Sequence, residues 1–132
     1  MKCFMCGIVA TLLISVQANA ADLCSSAAHL VNSTTNRVSE YSSKNAMNFF
    51  TGSGTVKDIN QGSLSSAQTV IVDCGNHVLV AVPTNNSGRA ANLKPGDAVR
   101  FSGALTGIEK RRYINSYRSY IFAYLNDDSA IR

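Results

Sequence analysis

Two β-rich runs, QTVIVDC from Gln68 to Cys74 and HVLVAV from His77 to Val82, separated only by Gly75-Asn76, constrain this 132-residue chain more than any other feature. A two-residue connection of this composition reads as a tight antiparallel hairpin, because Gly and Asn adopt the positive-φ backbone that such a turn needs. Side chains alternate along a strand, so Val70, Val72 and Cys74 share one face, and Val78, Val80 and Val82 share another. Those two faces are expected to form much of the core.

The flanking segments continue the β texture. TGSGTVKDIN, Thr51 to Asn60, reads as a bent first strand whose glycines permit curvature or close backbone approach. Pro83 ends the third strand, TNNSG forms a loop, and GRAANL, Gly88 to Leu93, reads as a single helical turn. Lys94-Pro95-Gly96-Asp97 carries proline and glycine at the central positions of a type II turn. The strand that follows, AVRFSGALTGI, alternates cleanly, with Val99, Phe101, Gly103 and Leu105 on one side and Arg100, Ser102, Ala104 and Thr106 on the other. In the last strand, SYIFAYL, Ile121, Ala123 and Leu125 stand opposite Tyr120, Phe122 and Tyr124.

The N-terminal region is different. MKCFMCGIVATLLISVQANA has one cation at Lys2, an apolar run from Phe4 to Val16, and small residues at Ala18 and Ala20. This is the pattern of a secretory signal peptide, residues 1–20, with cleavage after Ala20. The apolar run is shorter than the roughly 20 residues of a membrane-spanning helix, so no membrane span is expected after processing. Cys24 follows Ala21-Asp22-Leu23, which argues against lipid attachment. The mature chain is therefore expected in the periplasm or outside the cell.

Cleavage would remove Cys3 and Cys6 and leave Cys24 and Cys74, a pair that an oxidising compartment would join as a disulfide. Leu23, Ala27, Leu30 and Val31 recur at helical spacing behind Asp22 as N-cap, predicting a short amphipathic helix. The next stretch, NSTTNRVSEYSSKNA, reads as a polar linker or a poorly specified helix tail, with a second helical turn or two around Arg37 to Tyr41 as the alternative. The domain plan is thus a leader, an N-terminal helix with linker over residues 21–48, and a β domain over residues 49–132.

Five strands, a helical turn between the third and fourth, and glycines inside the first and fourth predict a mainly β fold. The expected form is a five-stranded OB-fold Greek-key barrel preceded by an N-terminal α-helix. A two-sheet sandwich is the alternative, but five short strands would leave its edges uncovered. The segments FFTGSGTVKDI, TVIVDCGNHVLVAV, AANLKPGDAVRFSGALTGI and YIFAYLNDDSAI also resemble the bacterial anticodon-binding-like OB-fold family, many of whose members are exported. The motifs are G-x-V-x-x-I in the first strand and L-x-x-G-D-x-V-x-x-x-G before and along the fourth. They imply a fold and carry no catalytic signature.

The formal net charge is +4, or 4 − 1 = +3 without Lys2, too small an excess to announce an acidic partner. Its distribution says more, since EKRRYINSYRSY gathers Lys110, Arg111, Arg112 and Arg118 with Tyr113, Tyr117 and Tyr120. In a barrel of this type the stretch is the loop between strands four and five and the start of strand five. Cations beside tyrosines suit a single-stranded nucleic acid, but strands two and three bring no exposed ring to face them. Solvated arginines on a curled hairpin, with tyrosines covering the barrel rim, account equally for the composition.

Histidines His29 and His77 stand apart, and the acids Asp58, Asp73, Asp97, Glu109, Asp127 and Asp128 are dispersed, so no catalytic constellation, metal set or cofactor is expected. The reading that follows is a non-enzymatic binding module. Its partner is expected to be an envelope protein, ahead of an anionic polymer such as single-stranded nucleic acid or polysaccharide. A secreted nuclease-like enzyme or single-stranded DNA-binding protein is the alternative.

Overall fold

A computed structural model describes residues 20–61, 68–84, 88–112 and 118–132. The expected leader lies outside the described residues except for Ala20, as do Tyr113 and Tyr117 of the basic stretch.

The chain is mainly β, with seven strands in one sheet. They are β1 (Ala21–Asp22), β2 (Phe49–Gln61), β3 (Gln68–Gly75), β4 (Val78–Thr84), β5 (Ala98–Arg112), β6 (Ser119–Leu125) and β7 (Ala130–Ile131). The order is β1-β2-β3-β4-β6-β5-β7, and β2 also pairs with β5, so β2, β3, β4, β6 and β5 close into a ring. Every pairing within the ring is antiparallel except β4 with β6, which is parallel.

The two long strands make the closure. The first half of β2 pairs with β5 from Phe49↔Ala104 to Thr55↔Ala98, and its second half pairs with β3 from Thr55↔Asp73 to Gln61↔Gln68. The handover falls at Thr55, which pairs with both strands, and beside it a Cβ on Gly54 would run into the backbone carbonyl of Asp73. The sequence reading of a bent first strand is met here. β5 likewise pairs first with β2 and then with β6.

Val70, Val72, Val78, Val80 and Val82 are all fully buried in one cluster with Val99, Phe101, Leu105, Ile121, Ala123 and Leu125, so the inward faces read from alternation form the core. The hairpin turn sits one residue later than the sequence reading placed it. Its central residues are Asn76 and His77, at φ 55 and 63, a pair of left-handed residues that matches the twist of the strands. The extra residue is absorbed by a register shift between Asp73 and Gly75, at Cys74. The Pro95-Gly96 turn forms as read, with Gly96 at φ 98 and Asp97 N donating to Lys94 O at 3.1 Å.

Helix α1 (Leu23–Ala28) is capped by Asp22, whose side chain accepts from Cys24 N. It buries Leu23 and Ala27 completely, and full burial of one such leucine contributes about 2 kcal/mol. Cys24 is bonded to Cys74, with Cα atoms 5.5 Å apart. The linker expected after it is in fact a second helix, α2 (Thr35–Asn45), capped by Thr34, whose side chain accepts from Arg37 N. Its few apolar residues hid it, since Val38 is the one fully buried residue of the helix. Tertiary bonds make up the difference: Ile108 N on β5 donates to Ser42 Oγ at 2.8 Å.

Helical pieces close the ring at both ends. α1 is bonded to the end of β3 at Cys74. The 3-10 turn Gly88–Asn92 sits at the start of β3, where Gln68 Nε2 donates to Ala90 O at 2.6 Å. Leu23, Ala27, Leu30 and Val38 enter the core from one end, and Ala90 and Leu93 from the other.

Candidate functional site

The basic stretch is not a loop from its first residue. β5 continues through Glu109, Lys110, Arg111 and Arg112, which pair with Phe122, Ile121, Tyr120 and Ser119 of β6. A strand sends successive side chains to opposite faces, so the cations are divided. Arg111 joins the outer face, while Lys110 turns the other way, and its Nζ donates to Ser33 O, between α1 and α2, at 3.0 Å. Arg112 and Arg118 are exposed at the end of the hairpin.

The outer face carries a second, smaller apolar cluster of Ile71, Leu79, Ala81 and Phe122, with Tyr120 and Tyr124 packed on it. The parallel pairing creates it by placing Leu79 beside Phe122 and Ala81 beside Tyr124. Phe122 is 2% exposed. The Arg111 guanidinium carbon stands 4.3 Å from its ring centroid, a distance at which the cation is attracted to the ring's negative face.

Glu109 Oε1 accepts from both the Tyr124 hydroxyl, at 2.6 Å, and Arg111 Nη1, at 3.2 Å. Burial, and then the hydrogen bond to Glu109, push the Tyr124 hydroxyl up to about 12, while the charge of Arg111 pulls it the other way. Tyr120 lies edge-on to His77, with centroids 5.1 Å apart, and Lys57 Nζ sits 5.9 Å from its ring. The rings are therefore already in contact with neighbours of this chain.

The same end of the barrel holds an open cleft of about 390 Å³ lined by Val31, Asn32, His77, Lys110, Arg118 and Ser119. Four pieces of chain supply it, and because β4 and β6 run parallel and start at the same end, the β3–β4 turn lies beside the β5–β6 hairpin. Ile121 N donates to His77 O at 2.9 Å, and Arg118 Nη1 lies 3.5 Å from His77 Nε2.

Of the residues singled out from sequence, the structure brings Lys110 and Arg118 to this cleft and Arg111 and Tyr120 to the outer face. Arg112 stands beside the cleft through its pairing with Ser119. Sequence reasoning missed Lys57, His77 and Glu109 as neighbours of the site. The alternation of Tyr120, Phe122 and Tyr124 was visible, but the strand they lie beside was not. Among the described residues no three His, Cys, Asp or Glu side chains gather to hold a metal ion.

No family model matches the chain, and no curated protein matches it. Among solved structures the chain is similar to an OBody bound to hen egg-white lysozyme, at 17% identity and a TM-score of 0.37, covering 71% of this chain and 88% of that one. A likeness of that degree carries no weight for fold or function.

Proposed function

We propose that this chain is an exported binding module built on an OB-type barrel, in keeping with its resemblance to the anticodon-binding-like family. In this reading the β5–β6 end contacts an acidic surface of an envelope protein. The fold assignment is supported by a five-membered ring with one parallel pair, β4 with β6, and a helical turn between β4 and β5. Export is supported by the Cys24–Cys74 bond, since disulfides persist in oxidising compartments. No helix among the described residues is long and apolar enough to cross a membrane.

One observation carries the choice of surface. Lys110 and Arg118 converge with His77 on one end of the barrel, and Arg112, paired with Ser119, is exposed beside them, as is Arg118. Arginine and tyrosine are among the residue types that most often anchor protein contacts.

A single-stranded nucleic acid fits less well, because base stacking needs open ring faces. Among the described rings, Phe122 is buried beneath Arg111, Tyr124 is tied to Glu109, and Tyr120 contacts both Lys57 and His77. A nuclease would need clustered carboxylates to hold metal, and the described acids do not cluster. The reading is tested by placing a photo-crosslinking residue at Arg112 or, as control, at Lys94 in exported protein. A protein adduct from position 112 alone supports it, and adducts from neither or only from 94 reject it.

A further inference from the structure

We infer that the cleft between His77, Lys110 and Arg118 is a site for a single phosphate-sized oxyanion. The inference deepens the reading above and rests on it in one respect, that the hairpin end is the ligand-facing end of the barrel.

The described residues lining the cleft include two cations, Lys110 and Arg118, and no carboxylate. Like charges gathered around one concavity repel, and an entering anion relieves that repulsion while gaining charge-assisted hydrogen bonds. The partners approach from different elements. Lys110 comes from β5, Arg118 and Ser119 from the start of β6, His77 from the β3–β4 turn, and Asn32 from the segment after α1. Donors converging from several directions suit a compact tetrahedral anion better than a planar carboxylate held by one fork.

The Lys110 ammonium has three donors and gives one to Ser33 O. Ser119 and Asn32 add a hydroxyl and an amide to the wall. Arg118 Nη1 lies 3.5 Å from His77 Nε2, which sets the guanidinium against the imidazole. His77 Nδ1 is buried and has no hydrogen-bond partner among the described residues. The imidazole thus forms one wall of the cleft, with a ring nitrogen unmet among the described residues. His77 adopts a left-handed backbone, φ 63, which most other side chains avoid.

The test is an NMR titration of the exported protein with inorganic phosphate, ionic strength held constant with chloride, and a parallel titration with acetate. The expected result is saturable shifts confined to His77, Lys110, Arg118 and Ser119, with half-saturation at about 1 to 5 mM phosphate and weaker response to acetate. Equal or stronger response to acetate would assign the site to carboxylates and overturn the phosphate proposal. Arg118→Gln leaves the Lys110–Ser33 contact in place and should weaken phosphate binding about fivefold. His77→Asn, which tolerates the left-handed turn, should do the same.

Shifts that stay linear to about 50 mM phosphate, or that spread over Lys94 and Arg100 as well, would overturn the site. Saturable phosphate binding without a crosslinked partner at position 112 would leave the anion site standing and reject the protein-contact reading. The converse result would reject the anion site alone.

Discussion

The guanidinium of Arg111 lies over the ring of Phe122 at 4.3 Å, on a face where the same arginine also bonds Glu109. Arg111 is therefore a lid on the outer apolar cluster as much as a surface charge. Phe122→Ala should cost about 3 kcal/mol, as expected for emptying a packed aromatic site. Arg111→Ala should cost about 0.5 to 1 kcal/mol. In urea unfolding the double variant should be less destabilised than the sum of the two, because each single change already removes the shared contact.

The Tyr124 hydroxyl, held above its ordinary 10.0 at about 12 by burial and by Glu109, gives the fold a dependence on alkaline pH. The folded pKa lies above the unfolded one, so the folded state holds this proton more tightly. The stability contributed is complete below pH 10 and is lost as pH rises through about 12. A phenolate absorbance titration should show one tyrosine ionising at the upper end of this window. Glu109→Gln should lower that midpoint, and Tyr124→Phe should abolish both the late titration and its share of the alkaline stability loss.

The disulfide joins residues 50 apart in sequence and attaches α1 to the end of β3. In the chain-entropy account, closing a loop of that length stabilises by about 4 kcal/mol. Cys24→Ser with Cys74→Ser should lower unfolding free energy by an amount of that order and expose Leu23 and Ala27. Alkylation of the native exported protein without reductant should label neither cysteine.

Gly54 stands beside the point where β2 leaves β5 for β3, against the Asp73 carbonyl. Gly54→Ala should destabilise by about 1 to 3 kcal/mol, the usual range for overpacking, read as a lower midpoint in thermal unfolding.

The fold was legible where local chemistry decides it. Alternating valines, the Pro95-Gly96 turn and the Asp22 cap each act over a few residues, and each appears where the sequence placed it. Helix α2 was legible only as an alternative turn or two around Arg37 to Tyr41, because its residues are mostly polar and Val38 is its one fully buried residue, leaving Thr34 and a long-range bond to Ser42 to define it. The strand character of Glu109 to Arg112 was hidden by charge, which marks loops on average but is tolerated wherever one strand face meets solvent.

The site depended on distance in sequence. His77 and Arg118 meet only because β4 and β6 run parallel, a pairing of segments about 40 residues apart that no local pattern encodes. The basic stretch was identified correctly as a cationic segment. Its division between an outer ring-covering face and an end cleft follows from strand alternation once β5 is known to extend to Arg112.

The claim that the β5–β6 end is the contact surface is tested most directly by quantitative capture of partners from the native cell envelope. Wild type is compared with an Arg112→Ser/Arg118→Ser variant that leaves Arg111 and Lys110 in place. The account predicts a specific protein partner retained by wild type and reduced at least about tenfold by the variant, the loss expected when two exposed anchor arginines worth about 1.4 kcal/mol together are removed. Equal recovery of the same partner by both proteins, with the variant shown to be folded, would contradict it.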